Sequence, residues 1–146
     1  MILCCGEALI DMLPRQSAAG ETAFAPYVGG AVFNTAVALG RLDIPVGFFT
    51  GISNDFFGAM LRDALSASDV SLDFVKWSDL PTTMAYVRLV DGHATYLFYD
   101  ENTAGRMLTE DDLPAVGDHV QAMHFSCISL IPVSYTHLTL PTNREV

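Results

Sequence analysis

The chain has 146 residues, 51% of them apolar and 16% charged, a composition that suits one compact domain with a single core and not a disordered segment. Its net charge of −10 argues against nucleic acid or an anionic membrane as partner, because a phosphate surface calls for a basic face. Lys76 is the only lysine, which removes a phosphate-loop lysine and most Schiff-base chemistry.

In chain order, Ile2 to Cys5 is a short apolar run closed by Gly6, and reads as a buried strand. Ala8-Leu9-Ile10 leads to Asp11, and Pro14 with the polar stretch from Arg15 to Thr22 marks a loop. Phe24 to Val28 forms a short strand before Gly29-Gly30. From Ala31 the apolar positions Val32, Phe33, Ala36, Val37 and Gly40 fall on one face of a helix that ends near Gly40. Pro45 restarts an extended run, Val46 to Thr50. Behind a Ser53-Asn54-Asp55 cap, Phe56, Phe57, Met60, Leu61, Ala64 and Leu65 repeat at helical spacing. Strand, helix, strand, helix in succession predicts an α/β fold on a parallel sheet.

That rhythm breaks at Thr82. Met84–Val90 and Ala94–Tyr99 flank Asp91-Gly92-His93, a strong hairpin signal, and a small accessory sheet is the simplest place for it. Thr109 to Asp112 resembles a helix start, and Met123 to Ile128 another core strand. The segment from Pro132 to Val146 shows neither period. Its residues 133–142, Val-Ser-Tyr-Thr-His-Leu-Thr-Leu-Pro-Thr, resemble a translated sequencing adaptor, so residues 133–146 are expected to be foreign to the natural protein.

Cys4, Cys5 and Cys127 have neither zinc nor disulfide-framework spacing, and are expected to be reduced, buried thiols. The N-terminus lacks a basic region and meets Glu7, making it a poor secretory signal, and no apolar run reaches membrane-spanning length. A cytoplasmic location is expected.

Three features could carry chemistry. Asp11 follows the first strand, at the end of a parallel sheet where ligands bind, and its carboxylate could accept hydrogen bonds from two sugar hydroxyls; a solvated loop acid is an equal alternative. Gly29-Gly30 before a helix would let a ligand approach the backbone and leave the first helical N–H groups free to bind oxygen. Asn34, in that first turn, could donate to and accept from a hydroxyl. Taken alone, a tight turn and a helix start explain this segment better. The hairpin residues Tyr86, Arg88, Tyr96 and Phe98 could cover a ligand as a lid or pack on one another, packing being the commoner role. None of the histidines has a partner at metal-ligand spacing.

Together these blocks resemble the ribokinase-like (PfkB) carbohydrate kinases. The resemblance is carried by Cys5-Gly6-Glu7-Ala8-Leu9-Ile10-Asp11, by Gly29 to Leu42 as the first family signature, and by Gly51 to Gly58, where the family has G-x-D-x-x-G. Pro81 to Ala85 and Phe98 to Ala104 look like bacterial fructokinases. The resemblance covers residues 1–132 and implies a partial three-layer α/β/α sandwich with a small β-sheet lid (about 12–28 and 83–99). It further implies transfer of the ATP γ-phosphate, with Mg2+, to a sugar hydroxyl. Asp11, Gly29, Gly30 and Asn34 match positions that hold the sugar, and Tyr86 and Phe98 lie where the lid closes; in many relatives the lid also forms a dimer contact. The second family signature, D-T-x-G-A-G-D, which supplies the catalytic base and anion hole, does not occur in these residues. The chain is therefore expected to hold no catalytic residue and no metal site, to lack kinase activity by itself, and to be the front part of an enzyme acting on fructose. Kinases of 2-keto-3-deoxygluconate or nucleosides, or a non-catalytic sugar-binding module, are the alternatives.

Overall fold

The computed structural model describes residues 1–90 and 93–126. The expected hairpin tip Asp91-Gly92, the thiol of Cys127, the end of the last expected strand and the expected foreign tail at 133–146 lie outside the described residues.

Strand β1 (Ile2–Cys5) is the centre of a parallel sheet, flanked by β4 (Val46–Phe49) on one side and β9 (Ala122–Phe125) on the other. All four residues of β4 are buried, as a continuous apolar run in a covered sheet requires. Successive side chains of β1 point to opposite faces. Cys4 joins the cluster under helices α1 (Ala31–Arg41) and α2 (Phe56–Ser66), with Phe33, Ala36, Phe48, Leu61 and Leu65. Leu3 and Cys5 face the other way, onto Phe49 and Leu108. Burial pushes the thiol of Cys4 up to about 11 and that of Cys5 up to about 12, the latter with help from Cys4, so both are unreactive core groups. A short parallel pair, β5 (Gly51–Ser53) and β6 (Lys76–Ser78), continues from β4. No helix among the described residues is long and apolar enough to cross a membrane.

The accessory sheet has the order β3-β2-β7-β8, built from β2 (Leu9–Gln16), β3 (Thr22–Gly29), β7 (Met84–Val90) and β8 (His93–Tyr99). The expected loop from Pro14 is shorter than the sequence suggests. β2 runs through Pro14 to Gln16, and the reversal is confined to 17–21, closed by Ser17 and Glu21. Proline is tolerated there because β7 pairs with β2 only over Ile10–Met12; beyond Met12 that side of the strand is open and needs no N–H. The expected helix at Thr109 is a single 3-10 turn, Glu110–Asp112, although Thr109 and Asp112 form a capping box. Pro114 accounts for the early stop, since it holds Leu113 extended.

Asp55 ties the two sheets together. It caps α2 by accepting the Gly58 N–H at 2.7 Å, and its carboxylate also accepts the Thr82 N–H and hydroxyl at 2.9 and 2.7 Å. Thr82 lies just before β7, so this one acid fixes the root of the accessory sheet to the core. Burial alone would raise its titration. The hydrogen bonds from Gly58, Thr82 and Ser53 outweigh that and hold it below the usual carboxylate range.

Candidate functional site

The register of the accessory sheet decides which side chains can meet. Tyr27, Asp11, Ala85 and Phe98 lie in one row across all four strands, and so on one face. Strands about 4.8 Å apart put Phe98 roughly 10 Å from Asp11, with the small Ala85 between them. The next row, Pro26-Met12-Tyr86-Leu97, faces the opposite way. Tyr86 and Phe98, expected to close over a ligand together, are thereby separated: Tyr86 packs edge-on against Phe24 and Tyr99, with centroids 5.3 and 5.6 Å apart. It lines a groove of about 590 Å³ with Phe24, Met84, Thr95, Leu97 and Tyr99, on the face turned away from Asp11. The groove is mostly aromatic and aliphatic; Arg88, Thr95 and the tyrosines are its polar lining, and it offers a polyol no carboxylate or amide side chain.

The Asp11 face has those partners. The carboxylate is half-buried beside the last residue of β3, so close that a Cβ at Gly29 would collide with its Oδ2. Among the described residues it receives no hydrogen bond or ion pair, and burial pushes its titration above the ordinary carboxylate value. A half-buried, unpaired acceptor with two oxygens is poised for donors brought by a ligand. Tyr27, its neighbour in the row, is held by Arg15, which donates to the phenol oxygen at 3.0 Å and lies over the ring. Sequence reading passed over Tyr27. The signal was its place in a β-run two residues before Gly29, on the parity that brings it beside Asp11.

Asn34 stands in α1 immediately after the double glycine, its backbone N–H bonded to the Gly30 carbonyl at 2.9 Å. Its side chain is exposed and makes no hydrogen bond among the described residues. Gly29, Gly30 and Asn34 therefore form one short segment leading away from Asp11. The expectation that the first N–H groups of α1 stand free is corrected by the structure. Glu7 Oε1 accepts the Ala31 N–H at 2.8 Å and the Val32 N–H at 3.4 Å, so an acid of the chain already occupies the position open to a ligand oxygen. Glu7 was legible only as part of the opening block, since nothing in the sequence says that residue 7 reaches residue 31.

These groups can bind a polyol: a carboxylate acceptor, an amide that both donates and accepts, and an aromatic ring, Phe98, on the same face. They do not fit a nucleotide phosphate or a metal ion. The anion-binding end of α1 is taken by a carboxylate, and the described residues contain no group of three His, Cys, Asp or Glu that could hold a cation.

Comparison with known proteins follows the same outline. A family model described as pfkB family carbohydrate kinase matches residues 1–140. A fructokinase of Rhizobium leguminosarum bv. trifolii is 61% identical over 132 residues, which are 90% of this chain and 40% of that protein. The crystal structure of a fructokinase from Xylella fastidiosa with bound ATP is 35% identical with a TM-score of 0.69, over 77% of this chain and 34% of that one. A fructokinase from Vibrio cholerae O395, solved in a fructose, ADP and calcium ion bound form, has a TM-score of 0.79 over 96% of this chain and 44% of that one; at 24% identity the likeness is one of fold. The chain thus spans about two fifths of the length of the relatives it matches.

Proposed function

This chain belongs to the pfkB family of carbohydrate kinases, and on that premise we propose that it carries the sugar-holding side of an ATP-dependent kinase acting on fructose or a related ketose. The observation that carries the reading is the Asp11 carboxylate, half-buried against Gly29 and without a partner among the described residues. In this reading Asp11 accepts hydrogen bonds from two hydroxyls, and Gly29 and Gly30 let the sugar lie against the backbone. Asn34 binds a third hydroxyl, and Phe98 covers the ring. Tyr86 is left out of direct contact, because its row faces away. The fructokinase 61% identical to this chain favours a ketohexose over a keto-acid or a nucleoside.

ATP and Mg2+ belong, on the same reading, to parts of the whole protein outside the described residues, as does the base that deprotonates the attacking hydroxyl. The 146 residues alone are then expected to bind the sugar and to leave ATP unchanged. Calorimetric titration of the chain with fructose tests the reading. Binding that weakens at least tenfold in Asp11→Ala and Asn34→Ala supports it; equal binding by Asp11→Ala and the unaltered chain would end it.

The outward face suggests a partner. Phe24, Leu97 and Tyr99 are 44%, 57% and 55% exposed around the groove, and among the described residues β8 is the edge of its sheet. We assign this face to a second copy of the protein. Sedimentation should show a dimer that Leu97→Asp dissociates; an unaltered chain that stays monomeric at high micromolar concentration would remove the assignment.

A further inference from the structure

Asp11, Asn34 and the double glycine have a place in the site, whereas the other acid of the opening block, Glu7, turns its carboxylate to the chain itself. Its side chain crosses to the start of α1, 24 residues further along, where Oε1 accepts the Ala31 and Val32 N–H groups. Its Oε2 is buried with no hydrogen-bond partner among the described residues. The crossing is possible because residue 30 is glycine. At φ 111° the backbone is turned as few side-chain-bearing residues allow, and a Cβ there would lie 2.7 Å from the Glu7 carbonyl oxygen and 3.3 Å from its Cγ. One residue earlier, Gly29 accommodates the Asp11 carboxylate in the same manner. The turn from β3 into α1 is thus packed against two acidic residues, with the Glu7 carbonyl and Cγ beside Gly30 and the Asp11 carboxylate beside Gly29.

The geometry points to Glu7 as a positioning residue. It clamps the Gly29-Gly30 turn and the first turn of α1, and through them sets where Asp11 and Asn34 stand relative to one another. Its purpose rests on the sugar-site reading above, but the clamp acts on groups of the chain itself. What matters is reach and an acceptor oxygen. A glutamine keeps both; an aspartate keeps the charge and is one methylene too short to bridge from residue 7 to the Ala31 amide.

Three quantities measured on the 146-residue chain decide the matter: amide exchange at Ala31 and Val32, the NMR titration of Asp11, and fructose affinity. Glu7→Gln should match the unaltered chain in all three. In Glu7→Asp the two amides should exchange about tenfold faster, and fructose affinity should fall about tenfold, as expected when a helix cap that orders a site is lost. Asp11 should titrate closer to the ordinary carboxylate value as water enters beside Gly29. Faster exchange with unchanged Asp11 titration and affinity would reduce Glu7 to a helix cap and overturn the proposal. If Glu7→Asp does not fold, Glu7→Gln decides: loss of the raised Asp11 titration despite an intact acceptor overturns the clamp, and retention supports it. A chain that binds no fructose while Asp11 responds as stated would keep the clamp and reject the substrate.

Discussion

Replacing Gly30 by alanine tests the central geometry most directly. At φ 111° and ψ 138° this residue occupies a region that costs a side-chain-bearing residue about 1–3 kcal/mol. The added Cβ would also stand 2.7 Å from the Glu7 carbonyl oxygen. That obstacle is backbone in the link between β1 and β2, and it cannot rotate away; relieving such overpacking costs about 1–3 kcal/mol more. The sum, about 2–6 kcal/mol, is a large part of the stability of a small domain. At roughly 3 °C per kcal/mol for a chain of this size it lowers the melting midpoint by roughly 6–18 °C. Gly20→Ala is the control. Gly20 has φ 79° but nothing within 4 Å of an added Cβ, so it carries backbone strain alone, about 1–2 kcal/mol. Urea unfolding of both variants, followed by circular dichroism, separates the terms. If Gly30→Ala unfolds no more readily than Gly20→Ala, the contact with Glu7 is not what requires glycine at residue 30.

Two carboxylates give predictions of opposite sign in pH. Burial raises the titration of Asp11, so its contribution to stability is complete below the unfolded value and is lost as pH rises through the folded one; Asp11→Asn should therefore melt higher than the unaltered chain at neutral pH, a gain that disappears below the ordinary carboxylate range, while fructose affinity falls. No gain at neutral pH would mean that the carboxylate is solvated. Asp55 is held low, so its contribution is present above the ordinary carboxylate value and is lost as pH falls through the folded one. Asp55→Ala leaves the Gly58 and Thr82 donors without their acceptor and should cost about 2–4 kcal/mol in denaturant unfolding at neutral pH, narrowing in acid. A constant difference between pH 7 and the acid limit would refute the ionic role.

The sequence carried the α/β alternation, the capped second helix and the two-stranded insertion well, because each rests on interactions within a few residues. Val32, Phe33 and Ala36 recur at helical spacing and are buried as that spacing demands. Pro14 misled because its effect depends on whether a neighbouring strand lies beside it, which only the short β2–β7 pairing settles. The capping box at Thr109 promised a helix that Pro114 stops after one turn. Asp11, Gly29, Gly30 and Asn34 were readable as candidates, and the structure brings Asp11 and Gly29 into contact. The role of Glu7 was not readable, since its hydrogen bonds span 24 and 25 residues.

The separation of Tyr86 from Phe98 has the same origin and a further consequence. Both are aromatics of one hairpin, and residue spacing within each strand gives no relation between their faces. That relation is fixed by which residue of β8 stands opposite which of β7, and the pairing of Ala85 with Phe98 puts the two rings on opposite sides. A register one residue different would turn Phe98 outward and Leu97 toward Asp11, exchanging an aromatic cover for an aliphatic one. The accessory sheet therefore presents two chemically distinct surfaces from a single alternating sequence. The Asp11 face, with Tyr27 and Phe98, suits a hydroxylated ring, and the Tyr86 face, apolar around its groove, suits another protein surface. The Asp55 carboxylate ties the root of β7 to α2, and Ile10, Met12 and Met84 pack that end of the sheet against the core, so a movement at the root displaces both surfaces together. On the proposed reading, fructose should tighten the association of two copies by the same factor by which association tightens fructose, and sedimentation that shows equal association with and without the sugar would refute the coupling.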